Sequence, residues 1–334
     1  MDGTGLEFQK SKLDAYVKYS EMNLVKTIEE VGSGADGNRD GLNQIKTMVE
    51  NKEDGYLDLL STIFPHTGNA YRIGITGPPG SGKSTITDQI VKLILEKKLS
   101  VAVIAIDPSS PFNGGAILGD RVRFVNDFKN TNTFFRSMST RGSQGGLANS
   151  AKLVADIFDA SGFDIIIFET VGVGQVEIDV IEAADSVIVT LVPESGDDIQ
   201  MMKGGLMEIA DLFAINKSDR QGADRLYTSL NKTLELNDNE LWRTPIVKTV
   251  ATKGDGIQLL YEQIIKHKEY ITNSNKRFEK LDQRYIKTIK FYISDILTDK
   301  FWTKEIDSYL NKELKQDYNK RISPFEMANF LIKK

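Results

Sequence analysis

Residues 71–85, Y-R-I-G-I-T-G-P-P-G-S-G-K-S-T, decide how the rest of the chain is read. A short β-rich run enters a glycine-rich turn of the form G-x-x-x-x-G-K-[ST]. The turn opens into I-T-D-Q-I-V-K-L-I-L at 86–95, where apolar residues recur at helical spacing. Strand, turn and helix in that order suit a phosphate. The glycines let backbone N–H groups fold into a nest, and the helix N-terminus adds a favourable dipole. On this reading Gly80, Ser81 and Gly82 line the nest, and Lys83 bridges the β- and γ-phosphates of a nucleotide. Ser84 ligates a magnesium ion, and the Thr85 hydroxyl reaches the α-phosphate. A dinucleotide-type G-x-G-x-x-G is excluded locally, because Gly80 and Gly82 are followed by Lys83, Ser84 and Thr85.

Further runs of the same kind follow: V-A-V-I-A-I, D-I-I-I-F, S-V-I-V-T-L-V, D-L-F-A-I-N and P-I-V-K-T-V. They are apolar nearly throughout, as expected of parallel strands covered by helices on both faces. The spacing predicts a doubly wound α/β domain over residues 71–257, with a mostly parallel sheet and ligands at the carboxyl ends of its strands. Residues 1–70 read as an N-terminal helical extension. Leu42, Ile45, Met48 and Val49 form one apolar face, and Leu59, Leu60 and Ile63 a second. A flexible G-S-G-A-D-G-N-R-D-G at 32–41 precedes them, with Asp40 as a candidate cap. Residues 258–334 read as helical and mildly basic, and end with Ser323 as N-cap and Pro324 as first helical residue.

Composition narrows the function. The 334 residues are 40% hydrophobic and carry a net charge of −5, so there is core-forming material but no basic field of the kind that drives nucleic-acid binding. The absence of cysteine excludes disulfides, thiolate metal sites and thiol catalysis. The start M-D-G-T-G-L-E-F-Q-K has no basic end leading into an apolar core, and no apolar run approaches membrane-spanning length. The expectation is a cytoplasmic protein that binds neither membrane nor nucleic acid.

After the run D-L-F-A-I comes Asn216-Lys217-Ser218-Asp219. A carboxylate at Asp219 can accept hydrogen bonds from both N1–H and the 2-amino group of guanine. Adenine offers an acceptor at N1 and no 2-amino group, so a buried polar site left unpaired discriminates against it. Lys217 lies along the base, and Asn216 ties this loop to the phosphate loop. The next run leads into A-T-K-G-D-G, where the Ala251 amide either reaches the guanine 6-oxygen or belongs to an ordinary glycine turn.

Three acids lie between these motifs. Asp107 ends the run V-A-V-I-A-I-D and leads into P-S-S-P, Asp120 stands in L-G-D-R, and Glu169 follows the run D-I-I-I-F and opens E-T-V-G-V-G-Q. An acid closing a buried strand needs a cation, a donor or water. With Ser84, these three supply the oxygen-rich shell of one Mg²⁺. The alternatives are a turn cap for Asp107, through the Ser109 or Ser110 amides, and a surface ion pair for Asp120 with Arg121 or Arg123. Gly172 offers its amide to the γ-phosphate. Gln175 either orients the attacking water or shapes the turn.

Taken together, I-D-P-S-S-P, L-G-D-R, S-M-S-T-R-G-S-Q-G-G-L-A, E-T-V-G-V-G-Q, P-E-S-G-D-D-I-Q and E-I-A-D-L-F-A-I-N-K-S-D closely resemble the MeaB family. These are P-loop GTPases associated with methylmalonyl-CoA mutase, also known as ArgK-type transport ATPases. The resemblance implies a P-loop NTPase fold of the G3E/SIMIBI type, slow hydrolysis of GTP to GDP with Mg²⁺, and a homodimer formed through the C-terminal helices. It also implies a chaperone of an adenosylcobalamin-dependent acyl-CoA mutase, gating cofactor delivery and protecting or reactivating the enzyme. By motif, Asp107 and Asp120 fall in a first switch, Glu169–Gln175 in a second, and roughly 192–205 in a third, where Asp197 and Lys203 relay nucleotide state to the mutase. Lys83, Asp107, Glu169 and Gln175 are the implied catalytic set. Two departures stand out: Ser139 in place of a common proline, and P-E-S-G-D-D-I-Q in place of P-G-A-G-D-E-L-Q. Two rival functions share the core: a regulatory ATPase or kinase of amino-acid transport, which has no need of N-K-S-D, and a metallochaperone GTPase. The latter needs metal ligands, and the chain has only His66 and His267.

Overall fold

The computed structural model describes residues 48–49, 53–107, 132–139, 144–172, 178–179, 181–196, 206–235 and 242–333. The expected roles of Asp40, Asp120, Gln175, Asp197 and Lys203 fall outside these residues, as do the side chains of Asp107 and Ser139 and most of the helix around Leu42.

Helix α1 (Tyr56–Ile63) and a 3₁₀ turn (Phe64–His66) lead to β1 (Tyr71–Thr76) and α2 (Lys83–Glu96). Then come β2 (Val101–Asp107), β3 (Thr133–Ser139), α3 (Gln144–Ala160), β4 (Ile165–Thr170) and β5 (Ser186–Leu191). A 3₁₀ turn (Pro193–Gly196), α4 (Leu206–Ile209), β6 (Leu212–Ile215), α5 (Ala223–Glu235), β7 (Ile246–Lys248) and α6 (Ile257–Asn273) complete the layered part. The strands form one sheet in the order β3-β2-β4-β1-β5-β6-β7, and every pairing is parallel. Strand β3 was not among the runs read from the sequence. It is an edge strand, T-F-F-R-S-M-S, and the half-buried Arg136 and Ser137 interrupt the apolar run that marks its neighbours.

Alternation along each strand feeds two cores. Tyr71, Ile73, Ile75, Val101, Val103, Ile165 and Ile167 pack with Ile86, Ile90 and Ile94 of α2 and Leu260 and Ile264 of α6. On the other face Ile104, Ile106, Ile166 and Phe168 pack with Val154 and Phe158 of α3 and Leu226 and Leu230 of α5. Each such side chain contributes roughly 1.5–3 kcal/mol by leaving water, so both faces of the sheet are stabilised.

The approach to β1 is held by ion-assisted hydrogen bonds. The buried Asp159 accepts from the backbone amides of Gly68, Asn69 and Ala70 at 2.9, 3.0 and 2.8 Å. Arg277 Nη2 donates to the three carbonyls of the same residues at 3.1–3.2 Å. On β1 itself Arg72 Nη2 meets Asp156 at 2.6 Å and Asp159 at 3.1 Å. Burial works against the Arg72 charge, but the two carboxylates outweigh it and push its pKa up. At the N-terminal edge of the sheet the Tyr71 hydroxyl meets Ser186 Oγ, which lies 2.5 Å from His267 Nδ1. His267 Nε2 lies 3.2 Å from Asp211, so this histidine rivets α6 beneath β5 and β6.

The chain divides into two compact units after Arg277. Helix α6, beyond the expected boundary at 257, buries Ile257, Leu260, Tyr261 and Ile264 against the sheet. The second unit carries most of α7 (Lys276–Phe301), α8 (Lys304–Leu314), a 3₁₀ turn (Tyr318–Lys320) and α9 (Pro324–Ile332). Helix α9 starts as the sequence predicts. Ser323 Oγ accepts from the Glu326 amide, Glu326 reaches back to the Ser323 amide, and Pro324 is the first residue.

Replacing Asp159 by alanine strands three amides and weakens the neutralisation of a buried guanidinium. The expected loss is about 3–5 kcal/mol of unfolding free energy, read from urea titration at unchanged m-value. A loss below about 1 kcal/mol would show that the clamp is not needed.

Candidate active site

Parallel strands put all their carboxyl ends on one edge, and there the loops after β1, β4, β5, β6 and β7 converge. Gly82 adopts φ 90° as N-cap of α2 and places Lys83 at the first helical position. A Cβ on Gly82 would stand 2.3 Å from Asn216 Nδ2, so only glycine lets the phosphate loop close on β6. At Gly77, φ is 144° and a Cβ would meet the Thr190 carbonyl of β5 at 2.2 Å. The loop is thus wedged between the neighbouring strand ends. The buried Lys83 ammonium donates to the carbonyls of Gly77 and Pro78 at 2.8 and 2.9 Å, which aims it across the nest. Phosphate oxygens are stronger acceptors for that ammonium than peptide carbonyls. At Gly80, among the described residues and apart from its chain neighbours, no atom lies within 4 Å of where a Cβ would be, so the loop is open there.

Ser84, in the first turn of α2, hydrogen-bonds through Oγ to Glu169 Oε1 on β4. Glu169 is buried, and register places it between Ile75 of β1 and Ala105 of β2. A hydroxyl and a carboxylate brought together at the head of a phosphate loop form an all-oxygen donor set of the kind a hard cation takes, so the residues present fit Mg²⁺. Asp107 is the last residue of β2, paired in register with Ser139, and its backbone therefore reaches the same edge.

One feature escaped the sequence reading. Thr76 and Thr170, the final residues of β1 and β4, approach through their hydroxyls at 3.0 Å, and both contact the Gly172 carbonyl, at 3.2 and 3.0 Å. The turn after β4 is therefore anchored to the sheet at Gly172. The signal was available, since I-G-I-T and F-E-T both end in threonine.

The base loop is locked by Asn216, which is 3% exposed. Its Nδ2 donates to the Ser81 carbonyl at 2.9 Å, while Oδ1 accepts from the Ala251 amide at 3.1 Å and from Thr249 Oγ1 at 3.2 Å. Lys217 takes a left-handed φ of 54° and donates to the Gly80 carbonyl at 2.8 Å. The Ser218 amide donates to the Thr249 carbonyl at 3.0 Å. Asp219 stands half-exposed, with Lys253 Nζ 3.3 Å from one oxygen, at the open edge of the site. The buried Ala251 amide donates to Asn216 Oδ1 and so helps to lock the loop.

Similarity to known proteins agrees with this geometry. The model of the family described as "Methylmalonyl Co-A mutase-associated GTPase MeaB" matches residues 42–306. A chain of Pyrococcus abyssi named as a GTPase is 44% identical over 301 residues, covering 89% of this chain and 93% of its own. The GTPase ArgK of Escherichia coli is 33% identical over 316 residues, covering 91% and 94%. Among solved structures, an LAO/AO transport system kinase superposes with a TM-score of 0.68 at 27% identity, covering 93% of this chain and 97% of that one.

Gly82→Ala pushes a methyl into the Asn216 amide and strains a positive φ. The expected result is a fall in GDP affinity of at least about tenfold by calorimetry, with the circular dichroism spectrum retained. Affinity within twofold of the parent would mean that the close approach of the two loops is not needed for binding.

Proposed function

The chain belongs to the MeaB family, described as methylmalonyl-CoA mutase-associated GTPases, and on that premise we propose that it is a GTP-hydrolysing chaperone of an adenosylcobalamin-dependent acyl-CoA mutase. In this role it gates cofactor delivery in the cytoplasm and protects or reactivates the mutase. GTPase activity and guanine-nucleotide binding come with the family; the mutase partner, the cofactor gating and the residue roles below are our reading. The observation that carries the nucleotide assignment is the lock at Asn216, which fixes the N-K-S-D loop against the phosphate loop through Ser81 and Gly80. A loop so placed offers the Asp219 carboxylate to the base of a nucleotide whose phosphates lie in the nest.

In hydrolysis, a water oxygen bonds to the γ-phosphorus in line, the bond from that phosphorus to the β–γ bridging oxygen breaks, and the proton leaves with phosphate. Lys83 and the loop amides neutralise charge on the β- and γ-phosphoryl oxygens. Ser84 and Glu169 would hold Mg²⁺, with Asp107 and Asp120 completing its shell; when bound, the ion would supply further charge neutralisation to the phosphoryl oxygens. The Gly172 amide senses the γ-phosphate, and the threonine pair that holds the Gly172 carbonyl sets where that turn begins. Gln175 orients water or shapes the turn. Asp197 and Lys203 relay the result to the mutase.

A homodimer through the C-terminal helices is part of the same reading. Helix α7 buries no residue, and Tyr285, Ile289, Ile293 and Leu297 recur at helical spacing with 40–61% of their surface exposed, an apolar face suited to a second copy. The transport-kinase reading, raised by the similarity to the LAO/AO transport system kinase, demands an adenine nucleotide, which a guanine loop rejects.

Phosphate release with GTP and with ATP, each with and without an adenosylcobalamin-dependent mutase, tests the proposal. The expected result is slow release from GTP that the mutase accelerates, and at least about tenfold less from ATP. In Asp219→Asn, xanthosine triphosphate replaces GTP as the better substrate. Equal turnover of ATP would favour the transport reading, and no response to any mutase would contradict the chaperone role.

A further inference from the structure

The base loop has a third brace, on the side away from Thr249 and Ala251. Arg220, directly after N-K-S-D, donates through Nη1 to Glu194 Oε1 at 2.6 Å. Glu194 belongs to the 3₁₀ turn that follows β5. The Arg220 hydrogen bond, ahead of a backbone hydrogen bond and the charges of Arg220 and Lys217, holds the Glu194 carboxyl below the usual carboxylate range. Gly222 lies near the same turn, since a Cβ built there would stand 3.6 Å from Pro193 Cβ. Arg220 is tied into the base loop, because its amide donates to the Lys217 carbonyl at 3.0 Å. Glu194 is also one of the positions where the chain departs from the sequence pattern it resembles.

We propose that Glu194 and Arg220 form a latch that holds the guanine loop from the turn after β5, making Glu194 a positioning residue for the base. The inference rests on reading N-K-S-D as the guanine loop. Without the latch, that loop is secured from the phosphate loop, from Thr249 and Ala251, and by the exposed Lys253–Asp219 pair, and its outer end at Arg220 loses its tie to the turn after β5. Any event that shifts the Pro193–Gly196 turn then alters retention of the base. The phosphates, held by the nest and Lys83, do not depend on it. A general loss of stability would weaken phosphate and base binding together; the latch predicts that they separate.

The test compares Glu194→Ala, Arg220→Ala, the double variant and the exchanged pair Glu194→Arg/Arg220→Glu in the full chain. Two quantities are measured: dissociation of ribose-labelled fluorescent GDP, and affinity for inorganic tripolyphosphate with magnesium. Each single variant should release GDP about two- to fivefold faster, in keeping with one exposed ion pair. The double variant should be no faster than the singles, and the exchanged pair should return to within about twofold of the parent, with tripolyphosphate affinity unchanged throughout. Unchanged GDP release in the singles, additive effects in the double variant, or equal weakening of tripolyphosphate would overturn the latch. A parallel Asp219→Asn variant separates the two claims. If it turns to xanthosine nucleotides while the latch variants release GDP normally, the latch alone fails. If its base preference is unchanged, the guanine-loop reading fails and the latch fails with it.

Discussion

A single buried side-chain amide, Asn216, holds the two halves of the nucleotide site together. Its donor end reaches the Ser81 carbonyl in the phosphate loop, and its acceptor end takes the Ala251 amide and the Thr249 hydroxyl beyond β7. Leaving any of these buried groups unpaired costs about 1–3 kcal/mol, so the three loops must adopt their positions together or not at all. The constraint runs back into the sequence. Glycine at 82 is needed so that the amide can approach, and the apolar run before Asn216 is needed so that β6 carries it to the edge of the sheet.

The parallel sheet turns this local lock into a site. Because every described strand points the same way, Thr76, Asp107, Thr170 and Asn216 end or follow their strands on one edge, although more than a hundred residues separate the first from the last. Glu169 shows what the arrangement achieves. It lies one residue short of the end of β4, and its longer side chain still carries a carboxylate oxygen to Ser84 in the first turn of α2. The buried carboxylate therefore meets a hydroxyl, and the pair suits a magnesium shell better than a core. On the far edge the chain Tyr71–Ser186–His267–Asp211 pins α6, which leaves the nucleotide edge to function.

Much of this was legible in the sequence for a physical reason: apolar runs and glycine turns respond to local constraints that the residues themselves express. The phosphate loop, six of the seven strands and the N-K-S-D loop all belong to that class. What escaped depended on pairing across distance. Strand β3 takes its identity from lying beside β2, and its half-buried Arg136 and Ser137 hide the period. The Ala251 amide meets Asn216, 35 residues away in sequence, and only the fold shows the two side by side. The Thr76–Thr170 contact and the Glu194–Arg220 pair join residues 94 and 26 apart in sequence, and nothing local announces either. Helices α6 and α7 are both amphipathic, and only packing reveals that α6 buries its apolar face against the sheet while no residue of α7 is fully buried.

On the proposed reading, phosphate and base recognition both depend on the lock at Asn216. The most direct test is calorimetric binding of GDP and of inorganic tripolyphosphate to Asn216→Ala. Because the substitution removes the lock from both loops at once, both ligands should weaken by at least about tenfold while the secondary structure persists. GDP bound within about threefold of the parent affinity would contradict the central role of Asn216.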